Sequence, residues 1–157
     1  MIGAEPKTVL VRLVLEPDRD LVSPVHAFLN TYVNKRFRLG VRDKVLVATN
    51  ELLSNALSYA SMASDVVYEL LLDERNVVIE VENEVIPTRL DMLRAHLDRL
   101  QADPEAAYME ELQRSLSSDA LRKPHLGLAR VVHEAEMELQ LEMRGTRRIL
   151  LRASCRS

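Results

Sequence analysis

Glycine is scarce in this chain: Gly3, Gly40, Gly127 and Gly145 are the only four among 157 residues, so no glycine-rich loop can be assembled anywhere along it. Cysteine is scarcer still. Cys155 stands alone, which excludes an internal disulfide and a cysteine-based metal site and suits a reducing cytoplasm. Basic residues are not in surplus either, since 21 Lys and Arg face 24 Asp and Glu for a net charge of -3. A nucleic-acid-binding surface calls for a basic excess. No apolar run approaches the roughly 20 residues of a membrane span, and the opening MIGAEPKTVLVRLVLEPDRD lacks the layout of a signal peptide. The expectation is a cytoplasmic protein that engages neither nucleic acid nor membrane.

What is present is ordinary globular composition, with 47% hydrophobic and 29% charged residues. That excludes a disordered chain, and the length suits one domain over residues 1–157. Thr8 to Glu16 is rich in β-branched and apolar residues and predicts a strand stopped by Pro17. Asp20 to Leu39 predicts a helix, because Val25, Phe28, Leu29, Tyr32, Val33 and Phe37 recur at helical spacing. Gly40 suits a left-handed residue after its end.

Val66 to Asp73 and Asn76 to Glu82 predict a β-hairpin turning at Asp73-Glu74-Arg75-Asn76, and Pro87 closes the strand region. From Thr88 to about Arg122 the pattern is helical. Thr88 with Asp91 resembles a capping box, Leu90, Leu93, Leu97 and Leu100 mark one face, and Asp103-Pro104 starts a second helix. Leu126 to Ala135 predicts a further helix. Met137 to Met143 and Thr146 to Ala153 predict two last strands joined through Gly145. The order β, α, α, β, β, helical insert, α, β, β indicates an α+β two-layer sandwich: a mixed, mostly antiparallel sheet with helices on one face.

One stretch organises the rest. Asp43 to Ala60, DKVLVATNELLSNALSYA, predicts an amphipathic helix whose Val45, Ala48, Leu52, Leu53, Ala56, Leu57 and Ala60 face a core. Glu51 and Asn55 sit on its flank, only about 40° apart in projection, so both reach the same small object. Asn is a modest helix former. In mid-helix it is either a surface residue bonded to a neighbouring loop or a ligand. The histidines point to no other site: His26, His96 and His133 fall on separate predicted helices with no zinc-like spacing.

The element order, together with NELLSNALSYA and HLGLARVVHEA, resembles the GHKL (Bergerat-fold) ATP-binding domain, and the short length is most similar to the stand-alone anti-sigma regulatory serine kinases. In such a domain Glu51 falls at the catalytic acid of the N-box and Asn55 at the Mg²⁺ ligand. An amide oxygen suits a hard cation and a carboxylate can accept a proton. The adenine-binding D-x-G-x-G box aligns with Glu82 to Pro87, which holds neither Asp nor Gly, leaving Asn83 to present an amide oxygen to the base. Of the phosphate-binding G-x-G-L-G-L box only Leu126-Gly127-Leu128 survives, preceded by Lys123, Pro124 and His125. Gly127 there either meets a phosphate or permits close helix-to-sheet packing, and Lys123 and His125 supply positive charge.

With no glycine-rich lid, the helical insert over about 88–122 takes its place. The resemblance implies ATP and Mg²⁺ as cofactors, a sigma factor or STAS-like antagonist as partner, and compatibility with a homodimer. The reading is a partner-switching regulator with altered or lost ATP binding. The alternative is an active ATP- and Mg-dependent serine kinase of a small antagonist protein.

Overall fold

A computed structural model describes residues 7–59, 64–117 and 126–157 of the chain. Five strands form one sheet, in which short turns join the second strand to the third and the fourth to the fifth, and helices lie between the other paired strands. β1 (Thr8–Leu15) pairs with β2 (Val66–Asp73), β2 with β3 (Asn76–Glu84), β3 with β5 (Arg148–Arg156), and β5 with β4 (Glu138–Met143). Every pairing is antiparallel, so the sheet expected as mixed and mostly antiparallel is wholly so among the described strands. The β2–β3 hairpin turns where expected. Asp73 pairs with Asn76 and Glu74 takes a left-handed φ of 45° at the corner.

Alternation along each strand sends one set of residues to the helices and the other outward. Tyr68, Leu70, Ile79, Val81, Ile149, Leu151 and Ala153 make the inner face and are all buried. The outer face carries ion pairs across strands. Arg152 Nε lies 2.9 Å from Glu80 and its Nη2 3.2 Å from Glu142, while Arg148 Nε lies 3.0 Å from Glu82.

The helices run in the predicted order: α1 (Val22–Arg36), α2 (Leu39–Tyr59), α3 (Pro87–Ala102), α4 (Pro104–Ser117) and α5 (Leu126–His133). Four local expectations need correction. Gly40 does not terminate α1. It lies inside the first turn of α2, no described glycine has positive φ, and the corner is made by extended Phe37 at φ -121°. Thr88 is not a cap. Pro87 is the first helical residue of α3 and Ile86 precedes it without a side-chain bond, as proline's preset φ favours.

Phe28 does not face the core. Val25, Leu29 and Val33 form the buried i, i+4 stripe of α1, and Phe28 is 51% exposed. β5 extends to Arg156 because β3 continues beside it, pairing Asn76 with Arg156. Asp103 does cap α4, its Oδ1 accepting from the Ala106 amide at 3.0 Å.

The core is continuous from the sheet through α2 to the insert. Leu52, Leu53, Ala56 and Leu57 of α2 and Leu90, Leu93, Leu97 and Leu100 of α3 belong to one buried cluster with Ile79, Val81 and Leu151. The insert is therefore a layer of the domain.

Candidate functional site

The amphipathic pattern of α2 determines what its flank displays. With Val45, Ala48, Leu52, Leu53, Ala56 and Leu57 all buried, Glu51 and Asn55 stand at the edge of the core, both half-buried. The Glu51 carboxylate lies directly against the backbone of α5 at Gly127. A Cβ added to that glycine would overlap Glu51 Oε2 and stand 3.0 Å from Cδ. This geometry gives Gly127 a packing role, but with α5 closely approaching helix α2 where the sheet was the expected neighbour.

Both polar groups already face cations of the chain. Arg130, one turn beyond Gly127 on α5, places Nη1 3.6 Å from Glu51 Oε1. Arg89, in the first turn of α3 and only 7% exposed, donates from Nη2 to Asn55 Oδ1 at 3.2 Å. A Mg²⁺ ion on that oxygen would lie against a fixed guanidinium charge, so the side chains as arranged do not fit the metal. Among the described residues no group of three or more His, Cys, Asp and Glu is placed to hold a metal ion.

Burial pushes the Glu51 carboxyl above its ordinary value of 4.5, and attraction to Arg130 only partly offsets this. The fold thus favours the protonated acid, and that contribution is complete below pH about 4.5 and lost as pH rises through the raised value. Glu51→Gln, which stays neutral, should therefore gain stability relative to the wild type between pH about 4 and about 7. Urea unfolding of both proteins at the two pH values checks this. A difference that shrinks with rising pH would show that Arg130 outweighs burial.

Arg130 also ties the site to the insert. Its Nε lies 4.0 Å from Glu134, and Glu134 accepts a 2.6 Å hydrogen bond from the Tyr108 hydroxyl of α4. Tyr108 in turn stacks on His133 of α5, centroids 4.3 Å apart and rings 4° from parallel. A chain of contacts thus runs from α4 through α5 to Glu51.

Asn83 is buried at the end of β3, 2% exposed, on the inner face opposite Ile149. Its Nδ2 donates to the Glu84 carbonyl at 3.2 Å, which leaves its amide oxygen as the acceptor. Lys123 and His125 lie outside the described residues. The structure thus brings together Glu51, Asn55 and Gly127, and adds Arg89 and Arg130, which no pattern in the sequence marks. Arg130 lies three residues after Gly127 and so shares its side of α5, a signal visible only once α5 is known to meet α2. Arg89 carries none, because its partner lies 34 residues away on a helix of its own.

No family model matches the chain and no curated protein matches it. Among solved structures it is similar to a chain from the crystal structure of the SiaB-SiaC complex from Pseudomonas aeruginosa, with a TM-score of 0.65 and 16% identity. The match covers 94% of this chain and 89% of that one. At that identity the likeness shows the fold.

Proposed function

We propose that this chain is a regulatory protein of partner-switching type, a GHKL-like domain that acts by binding another protein and whose nucleotide site is altered. The observation that carries this reading is the Arg89 guanidinium on Asn55 Oδ1, 3.2 Å away, in the position that a magnesium ion would take. Arg130 beside Glu51 and the buried α3 leucines support it further. The acid and the amide that would otherwise handle a magnesium nucleotide, Glu51 and Asn55, each have an internal partner. Support for a protein partner comes from the fold neighbour, which was solved as a complex of two proteins. A sigma factor or a STAS-like antagonist domain is the partner class that the GHKL resemblance implies.

A second reading, an active ATP- and Mg-dependent serine kinase, draws on the adjacency of Glu51 and Asn55 next to α5. In it Glu51 accepts the substrate hydroxyl's proton. Calorimetric titration of ATP with Mg²⁺ separates the two. The wild type should give no saturable heat at about millimolar nucleotide. Saturable binding near micromolar that Asn55→Ala abolishes would overturn the first reading and establish nucleotide chemistry at this site.

A further inference from the structure

The chain is acidic overall, yet from Leu21 through Arg42 it contains no carboxylate at all. That interval is α1 and the corner into α2, and it carries Lys35, Arg36, Arg38 and Arg42. On and beside the sheet, by contrast, Arg12, Arg144, Arg148 and Arg152 each lie against a glutamate. None of the four corner cations forms an ion pair among the described residues, and Arg36 instead lies over the Phe37 ring at 5.5 Å. Lys35, Arg36 and Arg38 are exposed.

The same corner shows more apolar surface than the core uses. α1 has two apolar stripes. Val25, Leu29 and Val33 are buried, while Phe28, 51% exposed, stacks on Tyr32, which is half-buried at the edge of the core, with centroids 6.5 Å apart. With Thr31, Lys35 and Arg36 they line an open groove of about 390 Å³. Leu39, at the start of α2, is 63% exposed. An aromatic groove rimmed by cations that nothing among the described residues neutralises is complementary to an apolar side chain flanked by carboxylates.

We infer that the α1–α2 corner docks an acidic segment of another protein, seating one aromatic or leucine side chain on Phe28 and Tyr32 with its carboxylates on Lys35, Arg36 and Arg38. This rests on the proposed reading that the chain works by binding a protein, and it supplies the surface and the chemistry of the partner. A polyanion such as duplex DNA fits less well. It has no apolar anchor to offer the groove, and the chain remains at net charge -3 with the corner included, so the rest of the molecule repels it.

The test selects phage-displayed random peptides on the immobilised full chain, then measures the best synthetic peptide by fluorescence polarisation. Enriched peptides should combine Asp or Glu with one aromatic or leucine. The double variant Arg36→Glu/Arg38→Glu should weaken that peptide about tenfold or more. Phe28→Ala should weaken it too, and raising salt from about 0.05 M to about 0.3 M should do the same. Because the changed side chains are exposed, circular dichroism should show the variants folded.

Peptides that bind both proteins equally would dock elsewhere and overturn the surface while leaving the partner reading intact. Enriched peptides without acidic surplus, or no enrichment over a blank support, would overturn the proposal outright. So would tighter binding of duplex DNA or phosphatidylserine vesicles lost in the double variant, or a wild-type dimer lost in it. The nucleotide titration judges the underlying reading independently.

Discussion

Leu93→Ala is expected to lower the global stability of the chain by about 3 kcal/mol, near the middle of the range for deleting a buried leucine. Leu93 lies on α3, is 1% exposed, and belongs to the same buried cluster as Leu52 of α2 and Val81 of β3. Truncation removes one methine and two methyl carbons from contact and leaves a cavity that helices held by neighbouring leucines close only in part. The result also decides what the insert is. A mobile lid would melt on its own, so the substitution would leave the main transition in place. A structural layer loses stability as part of one cooperative unit. Urea unfolding followed by circular dichroism makes the distinction. A loss below about 1 kcal/mol, or a separate early transition, would mean that α3 detaches from the domain.

Gly127→Ala is expected to destabilise the wild type by about 1–2 kcal/mol although alanine is the better helix former. The new methyl would overlap the Glu51 carboxylate. That side chain must rotate away, giving up its place beside Arg130, and overpacking of this kind costs about 1–3 kcal/mol. Against that stands a helix-propensity gain of at most about 1 kcal/mol. The sign should reverse in a Glu51→Ala background, where the obstacle is gone and only the propensity gain remains. The double-mutant cycle should then show a coupling of about 2 kcal/mol. Equal effects in both backgrounds would mean that the glycine answers to something other than Glu51, and the contact between α2 and α5 would lose its explanation.

Strong periodicity made much of the fold legible. The α2 stripe and the α3 leucines were readable because a continuous run of apolar residues at helical spacing has one low-energy solution, burial of that face. The hairpin was readable because two alternating strands flanked a short polar turn. Where an element borders on another, reading failed. Phe28 has the same spacing credentials as Leu29, yet a helix packed on one side can bury only one of its two apolar stripes. Gly40 looks like a helix end, yet extended Phe37 makes the corner and leaves Gly40 inside α2. Met143 shares the period of Leu139 but lies at the end of an edge strand and is 37% exposed.

The candidate site divides the same way. Glu51 and Asn55 were identifiable as a pair because their separation of four residues places them on one side of a helix whatever the rest of the chain does. What each of them touches was not. The guanidinium of Arg89 reaches Asn55 from a helix that begins after two intervening strands, and Arg130 reaches Glu51 only because Gly127 lets α5 approach. Local spacing on a helix is set by covalent geometry and so belongs to the sequence alone. Which charges meet across helices depends on how the whole core packs, and that packing decided that the acid and the amide of this protein face arginines of its own.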